Sequence, residues 1–125
     1  MKSILLVEDD PFLIDIYTTK IKESGFSVEV AKEGEEAFKK LTGSKFDLLI
    51  LDIVLPQVDG WEVLERIKNQ RAEVKNLEKL KIIVLSNLGQ KEEVEKGLRL
   101  GASKYLIKAH FTPSEVVEEI KEVLK

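Results

Sequence analysis

The chain has 125 residues, a length typical of one domain. Hydrophobic residues make up 43% and charged residues 34%, which favours a folded soluble domain over a disordered tail. The longest apolar runs have four residues, far below the roughly 20 that cross a membrane. The absence of cysteine excludes disulfides, thiol nucleophiles and cysteine-bound zinc. A net charge of -3 argues against a protein that binds nucleic-acid phosphates.

Short apolar runs alternate with longer segments of helical periodicity. Five runs predict strands: Ile4–Val7, Phe26–Val30, Leu48–Leu51, Ile82–Leu85 and Tyr105–Ile107. Five apolar stripes predict helices: Leu13, Ile16, Tyr17, Ile21; Ala37, Phe38, Leu41; Val63, Leu64, Ile67; Val94, Leu98; Val116, Ile120, Val123, Leu124. This alternation predicts an α/β fold, a five-stranded parallel sheet with five helices on both of its faces.

The second strand differs from its neighbours. Phe26–Val30 alternates apolar and polar residues, as an edge strand does, whereas the first, third and fourth strands are continuously apolar. This difference favours the strand order 2-1-3-4-5 of a doubly wound, flavodoxin-like sheet. Ligands then bind at the carboxyl ends of the first and third strands, where the direction of winding reverses.

Helix boundaries are marked by capping residues. Asp10-Pro11 predicts an N-cap followed by proline in the first turn, and Thr112–Glu115 predicts a capping box. Gly25, Gly43 and Gly101 each follow a helical stripe, where we expect a left-handed C-cap residue.

Polar residues end four of the strands. Glu8 and Asp9 follow the first strand, Asp52 the third, Ser86 ends the fourth and Lys108 follows the fifth. Carboxylates without a glycine-rich loop repel a nucleotide but suit a hard divalent cation, of which Mg²⁺ is the most plausible. Acids, a hydroxyl and a lysine around one crevice are typical of phosphoryl transfer, in which a carboxylate attacks while the cations neutralise the transferred oxygens.

Four motifs in order resemble the receiver domain of two-component response regulators, over essentially residues 1–125. They are ILLVEDD at Ile4–Asp10, LLILDIVLPQVDG at Leu48–Gly60, IIVLSN at Ile82–Asn87 and GASKYLIK at Gly101–Lys108. The resemblance, to single-domain chemotaxis-like receivers, implies that Asp52 is the phosphoacceptor. It also implies a metal site of Glu8, Asp9, Asp52 and the carbonyl of Val54, with Asp9 a direct ligand and Glu8 acting through water.

The resemblance also implies a conformational switch. Ser86 corresponds to the switch hydroxyl, although it also suits the cap of the fourth helix, Tyr105 to the switch aromatic, and Lys108 to the lysine that pairs with the phosphoryl group. Phosphorylation would alter the face formed by helix four, strand five and helix five.

Partners and location follow from the same resemblance. We expect phosphate to come from a histidine kinase, a histidine phosphotransfer protein or a small donor such as acetyl phosphate. Output would pass to a downstream protein by direct contact, or through a homodimer that forms on phosphorylation, without nucleic acid or membrane. Such a protein is cytoplasmic and is no enzyme beyond its own phosphorylation and dephosphorylation.

The sequence departs from the family pattern at several positions. Ala109 replaces the usual proline after Lys108, so we expect a trans peptide bond there. Asn87 replaces a small residue, which narrows access to Asp52. Val54 cannot hydrogen-bond an attacking water, which predicts slow dephosphorylation. Gly97 inside the thin fourth helix predicts that this helix is the most mobile.

Two other functions are alternatives to a phosphorylated receiver. A pseudo-receiver would bind partners without taking phosphate, and a haloacid-dehalogenase-type phosphohydrolase would need a second acid where this chain has Val54. Six other residues in or near these motifs are interpreted as structural. Asp10 is expected to cap a helix, Trp61 to be a half-buried anchor and His110 to lie in a loop. Pro56, Asp59 and Gly60 are expected to shape the loop before the third helix and to cap that helix.

Overall fold

The computed structural model describes residues 1–125 and contains ten helices and strands that alternate along the chain. The strands are β1 (Ser3–Val7), β2 (Ser27–Ala31), β3 (Leu48–Leu51), β4 (Lys81–Ser86) and β5 (Lys104–Ile107). The helices are α1 (Pro11–Glu23), α2 (Gly34–Gly43), α3 (Gly60–Gln70), α4 (Lys91–Arg99) and α5 (Pro113–Val123). Single 3₁₀ turns lie at Lys75–Leu77 and Lys108–His110.

All strands are parallel, in the order β2-β1-β3-β4-β5, which confirms the predicted fold. Each predicted strand lies within one residue of its observed bounds. Edge strand β2 alternates exposed and half-buried residues, whereas β1 and β3 are buried almost throughout, because helices cover both faces of the central strands.

Two apolar clusters hold the helices against the sheet. One lies under α2 and α3 and includes Leu41, Leu64 and Ile67. The other lies under α1 and α5 and includes Ile21 and Ile120. No helix is both long and apolar enough to cross a membrane.

The expected caps of α1 and α5 are present, and two of the three expected C-cap glycines have a positive φ. Asp10 caps α1 through the amides of Phe12 and Leu13, and the capping box of α5 is present. Gly25 and Gly101 have positive φ values of 91° and 115°. Gly43, however, is the last residue of α2 with no positive φ, because extended Ser44 ends the helix.

Helix α4 is mostly polar and buries only Gly97. Leu98, expected in the apolar stripe, is 46% exposed, because Gly97 faces the sheet in its place. A Cβ at Gly97 would lie 2.6 Å from Cδ2 of Tyr105, so a small residue is required there for packing. The mobility of α4 stays a prediction.

Candidate functional site

The register of the sheet places the first two acids side by side. Val7 pairs with Leu51, so Glu8 and Asp52 are the next residues at the carboxyl edge of β1 and β3. Backbone hydrogen bonds fix both positions: the amide of Asp52 donates to the Val7 carbonyl at 3.1 Å, and that of Glu8 to the Ala31 carbonyl at 3.0 Å.

The start of α3 also holds Asp52 in place. The amide of Gly60 donates to the carbonyl of Ile53 at 2.8 Å. A Cβ at Gly60 would lie 2.5 Å from the carbonyl oxygen of Asp52, so glycine permits this close approach. Asp59 caps α3 as expected, with its carboxylate accepting from the amide of Glu62 at 3.1 Å.

Lys108 joins the two acids. Its Nζ lies 2.6 Å from Oε1 of Glu8 and 2.6 Å from Oδ2 of Asp52. Ser86 pairs with Ile107 across β4 and β5, so Lys108 lies one residue beyond the end of the sheet. The Lys108–Ala109 peptide is trans, as predicted, and a 3₁₀ turn directs the lysine toward the acids.

Burial and the ion pairs act on these groups in opposite directions. Burial raises the pKa of Glu8 above its ordinary value of 4.5, although hydrogen bonds from Lys108 and the Asp10 amide partly oppose it. Burial alone would lower the pKa of Lys108, but hydrogen bonds to Asp52 and Glu8 outweigh it and raise this pKa above 10.5. Lys108 is therefore a cation at neutral pH.

The acidic residues form a group that fits a metal ion. Carboxylate oxygens of Glu8, Asp9 and Asp52 all lie within 4.8 Å of one another. Glu8 and Asp52 are 2% and 6% exposed, whereas Asp9 is exposed to solvent. They line a crevice of about 520 Å³ together with Asp10, Val54 and Lys108. Hard oxygen donors beside open space suit Mg²⁺, which keeps several of its waters.

Ser86 and Tyr105 are connected through one residue that sequence reasoning missed. The amide of Leu88 donates to Oγ of Ser86 at 3.2 Å, and the hydroxyl of Tyr105 donates to the Leu88 carbonyl at 2.6 Å. Ser86 is fully buried and does not cap α4, whose N-cap is Gln90. Burial is the main reason that the pKa of Tyr105 rises to about 12.

Two further residues near the site have contacts or charges around them that the sequence analysis did not predict. Tyr17 was interpreted only as part of an apolar stripe, yet burial raises its pKa, with the charge of Lys108 opposing the rise and the charges of Glu8 and Asp52 adding to it. The narrower access to Asp52 expected from Asn87 stays a prediction, and the exposed Asn87 side chain also accepts a hydrogen bond from the amide of Ala109 at 3.2 Å. A proline at position 109 could not make that bond, because it lacks the amide hydrogen.

The comparison with known families identifies the domain. Residues 4–121 match the model of the response regulator receiver domain. The chain belongs to this family. Receiver domains are signalling domains of two-component systems that are phosphorylated on aspartate, and the chain shares their flavodoxin-like fold.

Relatives of known sequence and structure agree with this assignment. The chain is 36% identical to the alkaline phosphatase synthesis transcriptional regulatory protein PhoP of Bacillus subtilis, over 99% of this chain and 49% of PhoP. It is 32% identical to the transcriptional regulatory protein CusR of Escherichia coli, over 98% of this chain and 51% of CusR. The chain thus spans about half the length of these curated relatives.

Solved structures superpose over nearly the whole chain. A CheY-like receiver domain from Methanospirillum hungatei matches with a TM-score of 0.87 and 30% identity, covering 99% of this chain and 94% of that one. The response regulator TrrA of Thermotoga maritima, solved with Mg²⁺ and a beryllium fluoride, matches with a TM-score of 0.83 and 31% identity, covering 99% and 100%.

Proposed function

We propose that residues 1–125 form a receiver whose Asp52 accepts a phosphoryl group. The contact between buried Asp52 and Lys108, at 2.6 Å, carries this proposal, because it places a nucleophilic carboxylate and a fixed cation in one crevice. A carboxylate oxygen of Asp52 would form a bond to phosphorus while the bond from phosphorus to the donor breaks. With phosphohistidine, the imidazole leaves and is protonated by solvent; with acetyl phosphate, acetate leaves.

The chain's own residues prepare this step. The amide of Val54 donates to Oδ1 of Asp52 at 3.2 Å, and Lys108 holds Oδ2, so the carboxylate is fixed before the donor arrives. After transfer, Lys108 would pair with a phosphoryl oxygen. The chemistry of the donor set assigns Mg²⁺ to Glu8, Asp9 and Asp52 with the carbonyl of Val54, where, when bound, it would neutralise phosphoryl charge.

Ser86 and Tyr105 would convert this event into a change of surface. A move of the Ser86 hydroxyl toward a phosphoryl oxygen would pull on the Leu88 amide, and the Leu88 carbonyl holds the hydroxyl of Tyr105. The half-buried Tyr105 ring packs against Gly97 of α4. Displacing Tyr105 would therefore alter the face of α4, β5 and α5 that we assign to downstream partners or to a homodimer.

The rim of the crevice supports docking of a protein donor. Phe12 is 72% exposed at the start of α1, and Val54 is 59% exposed beside Asp52. Phe12 lies between Pro11 and Leu13, which line the crevice together with Val54, and a group of apolar residues with a polar border favours a protein interaction surface. We assign this rim to a histidine kinase or a histidine phosphotransfer protein, and place the exchange in the cytoplasm.

Binding of beryllofluoride, a phosphoryl mimic, tests the proposal. We expect saturable binding in the presence of Mg²⁺, detected by NMR shifts of the backbone amides around Asp52. Asp52→Asn should abolish binding, and Asp15→Asn, an exposed acid on α1, should not. No binding by the folded wild-type domain would support a pseudo-receiver and contradict the proposal.

A further inference from the structure

The amino end of the sheet contains a second cavity that is separate from the acidic site. It has a volume of about 460 Å³ and is formed by residues before β1 and β3, the start of β4, the 3₁₀ turn at Lys75–Leu77 and the end of α5. Strands of four to six residues separate it from the carboxyl edge by about 15 Å. We refer to it as the basic cleft.

Lysines dominate its lining: Lys2, Lys45, Lys75, Lys79, Lys81 and Lys125. The lining contains only two acidic side chains, Asp47 and Glu78, beside the six lysines, which leaves a surplus of four positive charges. A terminal carboxylate at Lys125 would reduce this surplus to three. The whole chain has a net charge of -3, so the cleft concentrates positive charge against an acidic background.

The lysines of the basic cleft have no anionic partner within the protein. None takes part in any of the chain's salt bridges. Asp47 is already occupied, because its Oδ2 accepts a hydrogen bond from the amide of Ser3 at 2.8 Å. Asp47 and Glu78 offset only part of the mutual repulsion of the lysines, and solvent ions or a bound anion would relieve the rest.

A minor part of the lining of the cleft is apolar. Phe46 and Leu80 are 4% and 3% exposed, and half-buried Leu124 adds a third apolar contact. Nδ2 of Asn76 donates to the carbonyl of Thr42 at 2.9 Å and anchors the 3₁₀ turn. The volume of the cleft lies within the range of small-molecule sites, and its lining is more charged than that of most such sites.

We propose that the basic cleft binds a small organic polyphosphate, in the chemical class of a nucleoside di- or triphosphate. Lysine ammonium groups would neutralise the phosphates as point charges, and the apolar part of the lining would contact the organic part. The site lies at the opposite end of the sheet from Asp52, so this binding needs neither Mg²⁺ nor phosphorylation.

Calorimetric titration of the Asp52→Asn protein with ATP, in the presence of EDTA to remove metal ions, tests this assignment. Because Asp52→Asn lacks the proposed phosphoacceptor, the result does not depend on the proposed phosphorylation. We expect saturable binding with a Kd of about 1 mM or tighter, weaker binding of AMP and weaker binding of tripolyphosphate. Lys45→Glu with Lys79→Glu should weaken binding by about tenfold or more. The matched pair Lys20→Glu with Lys39→Glu, which are exposed and unpaired lysines on α1 and α2, should have little effect.

Several results would overturn the proposal. Equal losses in the two double variants would show unspecific attraction of anions to the whole surface. Equal affinity for tripolyphosphate and ATP would exclude a role for the apolar part of the lining. Tighter binding of a glutamate-rich peptide than of ATP would assign the basic cleft to a protein segment. Circular dichroism of each variant ensures that only folded protein is compared.

Discussion

Replacing Gly97 with alanine tests the packing of α4 on the sheet. Helix propensity alone favours alanine by about 1 kcal/mol. The new Cβ, however, would lie 2.6 Å from Cδ2 and 2.9 Å from Cε2 of Tyr105. Overpacking of this kind costs about 1–3 kcal/mol, and a displaced ring would also weaken the hydrogen bond to Leu88, worth about 1 kcal/mol. We therefore expect Gly97→Ala to lower the free energy of unfolding by about 1–3 kcal/mol.

A double-mutant cycle isolates the contact with Tyr105. In a Tyr105→Ala background the clash is absent, so Gly97→Ala should raise the free energy of unfolding by about 1 kcal/mol. The coupling energy between the two positions is then about 2–4 kcal/mol. Urea denaturation followed by circular dichroism measures all four proteins. If Gly97→Ala stabilises both backgrounds equally, Tyr105 does not pack against Gly97 and the proposed route from Ser86 to α4 is wrong.

Three other substitutions have defined outcomes. Gln57, which follows Pro56, has a φ of 62°, a conformation that favours glycine. Gln57→Gly should therefore raise the urea concentration at the midpoint of unfolding by an amount equivalent to about 1 kcal/mol. An unchanged or lower midpoint would show that the backbone of Gln57 is not strained. Val54→Asn should shorten the half-life of the phosphorylated protein, because an amide can orient the attacking water; an unchanged half-life would contradict this reason. Thr112→Ala should cost about 1 kcal/mol at neutral pH through loss of the N-cap. The capping hydrogen bonds lower the pKa of Glu115 below 4.5, so the carboxylate stabilises the fold above that pH. The backbone amide of Thr112 is the larger cause of this lowered pKa and remains in Thr112→Ala, so only the part of the cost that comes from the lost hydroxyl should shrink as the pH falls below 4.5, and a cost that does not change with pH would exclude this linkage.

The fold could be predicted from the sequence because its determinants are local. The continuous apolar run Leu48–Leu51 and the alternating run at β2 distinguish central from edge strands, and these differences set the strand order. The errors at Gly43 and Leu98 arise where the local pattern is ambiguous. Gly43 follows a helical stripe in the way that a C-cap does, but extended Ser44 ends α2 just as well. Leu98 fits the apolar period of α4, although the ring of Tyr105 leaves space only for Gly97.

The candidate site could be predicted in part. Glu8, Asp52 and Lys108 follow strands whose order is known, so their proximity follows from topology. The role of Leu88 could not be predicted, because it acts through backbone atoms that carry no side-chain signature. The bond between Asn87 and Ala109 depends on the conformation of two loops, which residue types alone do not specify.

Intact mass after incubation with acetyl phosphate is the most direct test of phosphoryl transfer to Asp52. Wild type and Asp15→Asn should each gain one phosphoryl group in the presence of Mg²⁺ and none in EDTA, and Asp52→Asn should gain none. An increment that persists in Asp52→Asn would place the phosphoryl group elsewhere and contradict the account.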